Sequence, residues 1–222
     1  MTPEQKTASS RLWWKLVRFG FRLLYHEMAF TYDSVANVVS LNQWWDWQRC
    51  ALDFLPPPQD GRILELAHGT GRFFLDLHQR GYDVTGYDIS PQMSRIASRR
   101  LRKHRIPVRL IRGRAQELPF PSGIFAAVVS TFPTPFIVED ETIAEVRRVL
   151  MSGRRLVFVP GGILTRGGAA KTILEGAYQV TGQRGPWNID IEARFEKHGF
   201  HVVPHTITLP RSLVTVIVAE LT

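Results

Sequence analysis

From about residue 60 onward the chain alternates short apolar runs with longer stretches of helical spacing. The run 62–66, Arg-Ile-Leu-Glu-Leu, reads as a buried strand, and 71–79 as a helix ending near Gly81. Residues 82–88 form a second predicted strand. Ser90 and Pro91 then open a helix, with Ser as the cap and Pro in the first turn, where no N–H is needed. A third strand is predicted at 108–112. The fourth, 125–130, shows no polar alternation, as expected of a strand covered on both faces. A helix over 139–151 and a fifth strand over 153–159 follow. This alternation predicts an α/β fold: a Rossmann-like, doubly wound, mostly parallel sheet with right-handed crossovers.

The end of the chain departs from that rhythm. A short helix over 192–198 stops at Gly199, and two apolar, β-branched segments, 201–209 and 212–221, meet around Pro210 and Arg211. They predict a C-terminal hairpin that brings the sheet to seven strands and places an antiparallel strand at its edge. Residues 161–188 are rich in Gly and read as a helix within a mobile insertion. The chain divides into an N-terminal helix and lid segment, 1–50, and one domain, 51–222.

Composition adds little to this picture until charge is considered. At 222 residues, 44% hydrophobic and 22% charged, the chain suits a single sizeable core. Cys50 is the lone cysteine, which excludes an internal disulfide and points to a reduced, cytoplasmic setting. We find neither a secretory signal nor an uncharged apolar stretch of about 18 residues, so no membrane-spanning helix is expected. A Cys pair and a His-x-x-x-His on a helix are both missing, and no metal site is expected.

The charge is unusual: 28 Lys and Arg against 20 Asp and Glu leave +8. Between Asp88 and Glu117 there is no acid, while Arg95, Arg99, Arg100, Arg102, Lys103, Arg105, Arg109, Arg112 and Arg114 all fall there. Such a surface favours nucleic acid or an anionic membrane face, or is a solvated helix face that aids solubility. A second basic pattern lies in 11–25. Arg11, Lys15, Arg18 and Arg22 make one stripe of a helix whose remaining surface carries Trp13, Trp14, Phe19 and several Leu. That is the composition of a helix lying in a membrane interface, and equally of one docked on its own domain or on a second copy.

The candidate chemistry gathers at "ELAHGTG", 65–71. A loop between the carboxyl end of a first strand and a helix N-terminus is where doubly wound sheets bind nucleotides. Ala67, Gly69 and Gly71 put small residues at every second position, letting a ligand approach the backbone. Asp88 ends the second strand, where its carboxylate can accept from both ribose hydroxyls. Glu65 can orient the loop or reach the cationic end of a ligand.

These segments resemble the class I S-adenosylmethionine-dependent methyltransferases. "ELAHGTG" is similar to their first motif, with Ala67 for the first glycine; "GYDISPQM", 86–93, to their second. "GRAQELPFPSGIFAAVVS", 113–130, resembles the adenine-side loop and fourth strand, and "EVRRVLMSGRRLVFV", 145–159, the following helix and strand. The resemblance implies S-adenosyl-L-methionine as cofactor, contacted by Glu65, Ala67, His68, Gly69, Gly71, Asp88, Ile89, Met93, Ala115, Gln116 and Thr131. Arg114 stands where the family has an acid that accepts from the adenine amine, and Arg cannot accept. The segment 32–49, with Tyr32-Asp33, Ser40 and Trp47, is similar to the entry lid of the ubiquinone and menaquinone C-methyltransferases, which makes Tyr32 a lid contact; packing of Trp44, Trp45 and Trp47 as core is the alternative.

The resemblance implies transfer to a small or lipophilic acceptor, quinone- or lipid-like, by an enzyme held at the inner membrane face if 11–25 lies on lipid. Should the acceptor need deprotonation, His68, His26 and Asp33 are the candidate bases. Two other readings stay open: an RNA methyltransferase using the Arg-rich 95–114 surface, and a cofactor-binding scaffold without catalysis. Oligomeric state is not legible.

Overall fold

A computed structural model of the chain describes residues 36–38, 40–165 and 190–222. The helix at 11–25, the candidates His26, Tyr32 and Asp33, and positions 166–188 lie outside the described residues.

The strands are β1 Arg62–Leu66, β2 Val84–Asp88, β3 Leu110–Arg112, β4 Phe125–Thr131, β5 Leu150–Leu164, β6 Phe200–Leu209 and β7 Ser212–Leu221. They form one sheet in the order β3-β2-β1-β4-β5-β7-β6. The first five run parallel. Among the described residues the α-helices, besides a short helical piece at 36–38, are α1 Trp44–Arg49, α2 Arg72–Gln79, α3 Pro91–Lys103, α4 Asp140–Val149 and α5 Ile191–Glu196.

Strand alternation sorts the core into two layers. Ile63, Val84, Ala127 and Val129 pack with Phe73, Phe74 and Leu77 of α2 and Leu101 of α3. Leu64, Leu66, Tyr87 and Val128 pack on the other face with Ile143 and Val146 of α4 and Phe195 of α5. Side chains of a strand point alternately to opposite faces, so Glu65, two residues from Ile63, is delivered to the α2 side. The α3 start is capped as its sequence predicts: the Met93 N–H donates to Ser90 Oγ at 3.2 Å, with Pro91 in the first turn.

Two expectations need correction. The antiparallel strand is not at the sheet edge. β7 pairs antiparallel with both β5 and β6, and β6 is outermost. The burial patterns give the reason. Val216 to Ala219 of β7 are all buried, whereas β6 exposes alternate residues and carries Pro204, which cannot donate to a ladder.

Residues 161–164, expected in a mobile insertion, belong instead to β5. Gly161 pairs with Thr215 and Leu164 with Ser212, after a register shift around Pro160. Gly162 is there because Trp47 needs the space: a Cβ at that position would lie 2.5 Å from the indole. The Trp47 Nε1–H donates to Ser212 Oγ at 2.7 Å, which ties α1 to the far side of the sheet. Trp47 is therefore fully buried core, Trp44 is buried beside it, and Trp45 is half-buried.

Candidate functional site

The loop after β1 is built from left-handed residues. Ala67, Gly69 and Gly71 have φ of 55°, 53° and 74°. The small residues at every second position thus satisfy a backbone requirement, which Gly meets freely and Ala at a cost of about 1 kcal/mol. Ala67 is held in that conformation by its N–H, which donates to the Tyr87 carbonyl at 2.7 Å. Gly71 is small for a second reason, since a Cβ there would come within 2.8 Å of Ala97 Cβ on α3. At Gly69 an added Cβ would meet only the Ala67 carbonyl, at 3.9 Å, so that edge of the loop is open.

Asp88 closes the loop. Its Oδ2 accepts from the Gly69 N–H at 2.9 Å and its Oδ1 from the Ser90 N–H at 2.8 Å. Each oxygen keeps a free acceptor direction, which is what a pair of ribose hydroxyls would use.

Two buried polar groups belong to this region, Glu65 behind the loop and His68 within it. Glu65 is 1% exposed and its Oε2 finds no hydrogen-bond partner among the described residues. Burial, and then the charges of Asp88 and Asp76, push its carboxyl well above the usual range. His68 is 4% exposed, its ring packed against Gly86, where a Cβ would sit 3.0 Å from Cδ2. His68 Nδ1 lies 3.0 Å from the Gly69 carbonyl, which only accepts, so Nδ1 carries the proton and Nε2 is an acceptor, without a partner among the described residues. Burial lowers the imidazole's pKa against the opposing pull of Asp88, keeping the ring neutral.

A cleft of about 260 Å³ opens over the carboxyl ends of β1, β2 and β4. Its polar wall is the loop 67–70 with Asp88 and Ser90; its other wall is Trp44, Phe132 and Phe136. The Trp44 and Phe132 rings stack at 3.7 Å between centroids, 21° from parallel. Phe132 has a positive φ of 53°, an unusual conformation for a bulky residue, held while its N–H donates to the Val159 carbonyl at 2.8 Å. Gln48 Nε2 donates to Thr131 Oγ1 at 3.1 Å and joins α1 to the end of β4.

Among the sequence-predicted site residues, Ala67, His68, Gly69, Asp88, Ile89, Met93 and Thr131 line this cleft. Glu65 and Gly71 lie behind the loop. Ala115 and Gln116 are also outside the lining, and the Gln116 side-chain amide donates to Glu139 at 2.5 Å. Arg114 is exposed, and its backbone carbonyl accepts from the Tyr87 hydroxyl at 3.4 Å. The next turn of that segment is clamped by α4: the Leu118 N–H donates to Glu145 Oε2 at 2.7 Å, and Arg148 donates to the Leu118 and Phe120 carbonyls. Trp44, Gln48, Thr70, Arg72, Ser90 and Phe136 were not foreseen as lining residues. Phe132 and Thr134 lie in the Thr-Phe-Pro-Thr-Pro run after β4, where an acceptor is expected to enter; Gln48 falls within the lid segment 32–49 and Arg72 directly after the 65–71 motif, but neither residue type marks a contact.

These residues suit the nucleoside and amino-acid parts of S-adenosylmethionine: a carboxylate with free acceptor directions, a loop open at Gly69, and a buried carboxyl with an orphaned oxygen.

Residues 63–153 match a family described as "Methyltransferase domain". The chain is 36% identical over 137 residues to the demethylmenaquinone methyltransferase of Thermus thermophilus, covering 60% of this chain and 62% of that protein. It is 32% identical over 139 residues to the enzyme of the same name from Deinococcus radiodurans, covering 61% and 58%. The match thus spans about three fifths of these relatives' length. Among solved structures, the fold is similar to phosphoethanolamine N-methyltransferase 2 of Haemonchus contortus in complex with phosphomonomethylethanolamine and S-adenosylhomocysteine (TM-score 0.62, 16% identity, 80% of this chain and 52% of that one). It is also similar to geranyl diphosphate C-methyltransferase of Streptomyces coelicolor (TM-score 0.55, 15% identity, 79% and 78%).

Proposed function

We propose, for a chain that belongs to the class I S-adenosylmethionine-dependent methyltransferases, that it transfers a methyl group from S-adenosylmethionine to a small, lipophilic acceptor of the quinone type. The observation that carries this reading is the two-sided cleft. One wall presents Asp88 and loop backbone, the other a stacked Trp44–Phe132 pair with Phe136. A flat, apolar ring packs against such an aromatic wall; an anionic acceptor would find little in the lining beyond Arg72 to answer it. The names of the Thermus and Deinococcus relatives point the same way.

The sulfonium cofactor supplies an electrophilic methyl group with a good leaving group already attached. The chain's own task is then to hold and align. Asp88 accepts from the ribose hydroxyls. The loop 67–71 lets the ligand lie against backbone, and Glu65, buried behind that loop, would offset the ligand's positive end by releasing its proton to solvent when the cation binds. The aromatic wall excludes water and fixes the ring face that meets the methyl group. Of the three candidate bases His68 is the one among the described residues, and its buried Nε2 would have to turn toward the cleft to take a proton from an acceptor.

Calorimetric titration with S-adenosylhomocysteine, wild type against Asp88→Ala, tests the cofactor half. Loss of two charge-assisted bonds lowers affinity about 100-fold or more. Methyl transfer to a demethylated naphthoquinone in detergent micelles tests the acceptor half. Absence of S-adenosylhomocysteine binding by the wild type would overturn the whole reading.

A further inference from the structure

The cleft does not explain the Arg-rich stretch. The structure wraps it around one edge of the sheet, where β3 is outermost. On α3, Met93, Ala97 and Leu101 face the core, so Arg95, Arg99 and Arg102 lie on the opposite, solvent-facing side. Lys103 and Arg105 extend that surface, and Arg112 and Arg114 follow on β3 and its exit. Arg100 turns inward to Thr70 and Arg109 pairs with Asp83, but the other seven cations have no acidic partner among the described residues.

Guarding an open edge strand against pairing needs a charge or two on the strand itself. Arg112 on β3, with Arg109 just before it, suffices for that and leaves Arg95, Arg99, Arg102, Lys103 and Arg105 unexplained.

Apolar side chains stand among these charges. Val108 and Ile111 are each 37% exposed and Ile89 is 64% exposed. Ile89 also lines the mouth of the cleft, and Arg112 pairs in register with Asp88, so the patch runs up to the site entrance. We propose that this α3–β3 edge docks the protein on an anionic lipid bilayer and holds the cleft mouth against the membrane. The inference rests on the lipophilic-acceptor reading for its purpose, not for its surface. Cations flanking exposed aliphatic side chains are the chemistry of an anionic lipid interface. Single-stranded nucleic acid is bound by cations interleaved with aromatic platforms, and the exposed large apolar side chains of the described residues are all aliphatic.

The test is co-sedimentation of the full chain with phosphatidylcholine vesicles, with and without phosphatidylglycerol. Wild type pellets only with the anionic vesicles. Arg95→Gln/Arg99→Gln/Arg102→Gln loses about 100-fold in partition, roughly fivefold per cation, with S-adenosylhomocysteine affinity unchanged. Ile111→Glu weakens the binding that survives high salt, where charge is screened. A triple variant that pellets like wild type would overturn the proposal. So would wild type that binds single-stranded RNA but no vesicles, or vesicle binding wholly reversed by salt and indifferent to Ile111→Glu.

Methyl transfer in micelles separates this result from the acceptor reading. A triple variant active in micelles but slow on vesicle-borne acceptor has lost docking alone. A wild type that docks but methylates no quinone in either medium refutes the acceptor reading and leaves the docking intact.

Discussion

The two walls of the cleft are held by different means. The polar wall is largely local: 65–71 and 86–90 are adjacent parallel segments joined by bonds about 20 positions long, and Arg100, which donates to Thr70, is 30 positions away. The aromatic wall is long-range, because Gln48 meets Thr131 across 83 positions and Trp47 meets Ser212 across 165. A wall made of backbone conformation and hydrogen bonds tolerates few residue types at each position. A wall made of packed rings tolerates shape-preserving exchange but depends on the whole core. On the proposed reading, cofactor recognition and acceptor recognition can therefore vary separately.

The largest test of that difference is Trp44→Ala. Truncating a buried indole that stacks on Phe132 costs about 3–5 kcal/mol in urea unfolding. The milder Trp44→Phe keeps the fold and raises the KM of a lipophilic acceptor, while S-adenosylhomocysteine affinity stays put. An equal loss of cofactor affinity would break the separation between the walls.

Gly71→Ala strikes the polar wall. A left-handed φ together with a 2.8 Å approach to Ala97 costs about 2–4 kcal/mol in the same assay.

Glu65→Gln comes next and carries a pH signature. The folded-state pKa is raised, so the native protein holds this proton more tightly than the unfolded chain does. The group's stabilisation is complete below the ordinary carboxylate pKa and is lost as pH rises toward the folded value. Glu65→Gln does not suffer that loss, and its advantage over wild type grows with pH by up to about 1.4 kcal/mol per unit. Urea unfolding at pH 5 and pH 8 measures it; a gap that does not widen would show Glu65 to be ionised or solvated.

Ala67→Gly gives the smallest effect, a gain of about 1 kcal/mol from relief of the left-handed strain. No gain would mean that the Tyr87 carbonyl bond, not residue type, sets the loop.

Much of this protein was determined along the chain itself. The α/β alternation, the Ser90 cap, the small residues at 67, 69 and 71 and the carboxylate at 88 are local, because strand period, capping and positive φ act within a few residues. Even the buried run in 212–221 and the alternation with Pro204 in 200–209 hold the signature of an inner and an outer strand, although a hairpin alone leaves their order open. Tertiary structure decided the rest. The placement of β7 inside the sheet, the recruitment of 161–164 into β5 and the fit of Trp47 against Gly162 depend on pairings that no local pattern encodes. The same holds for Glu65. Its position on the strand was readable, but its orphaned oxygen and displaced proton arise only when α2, Asp76 and Asp88 close around it and exclude water.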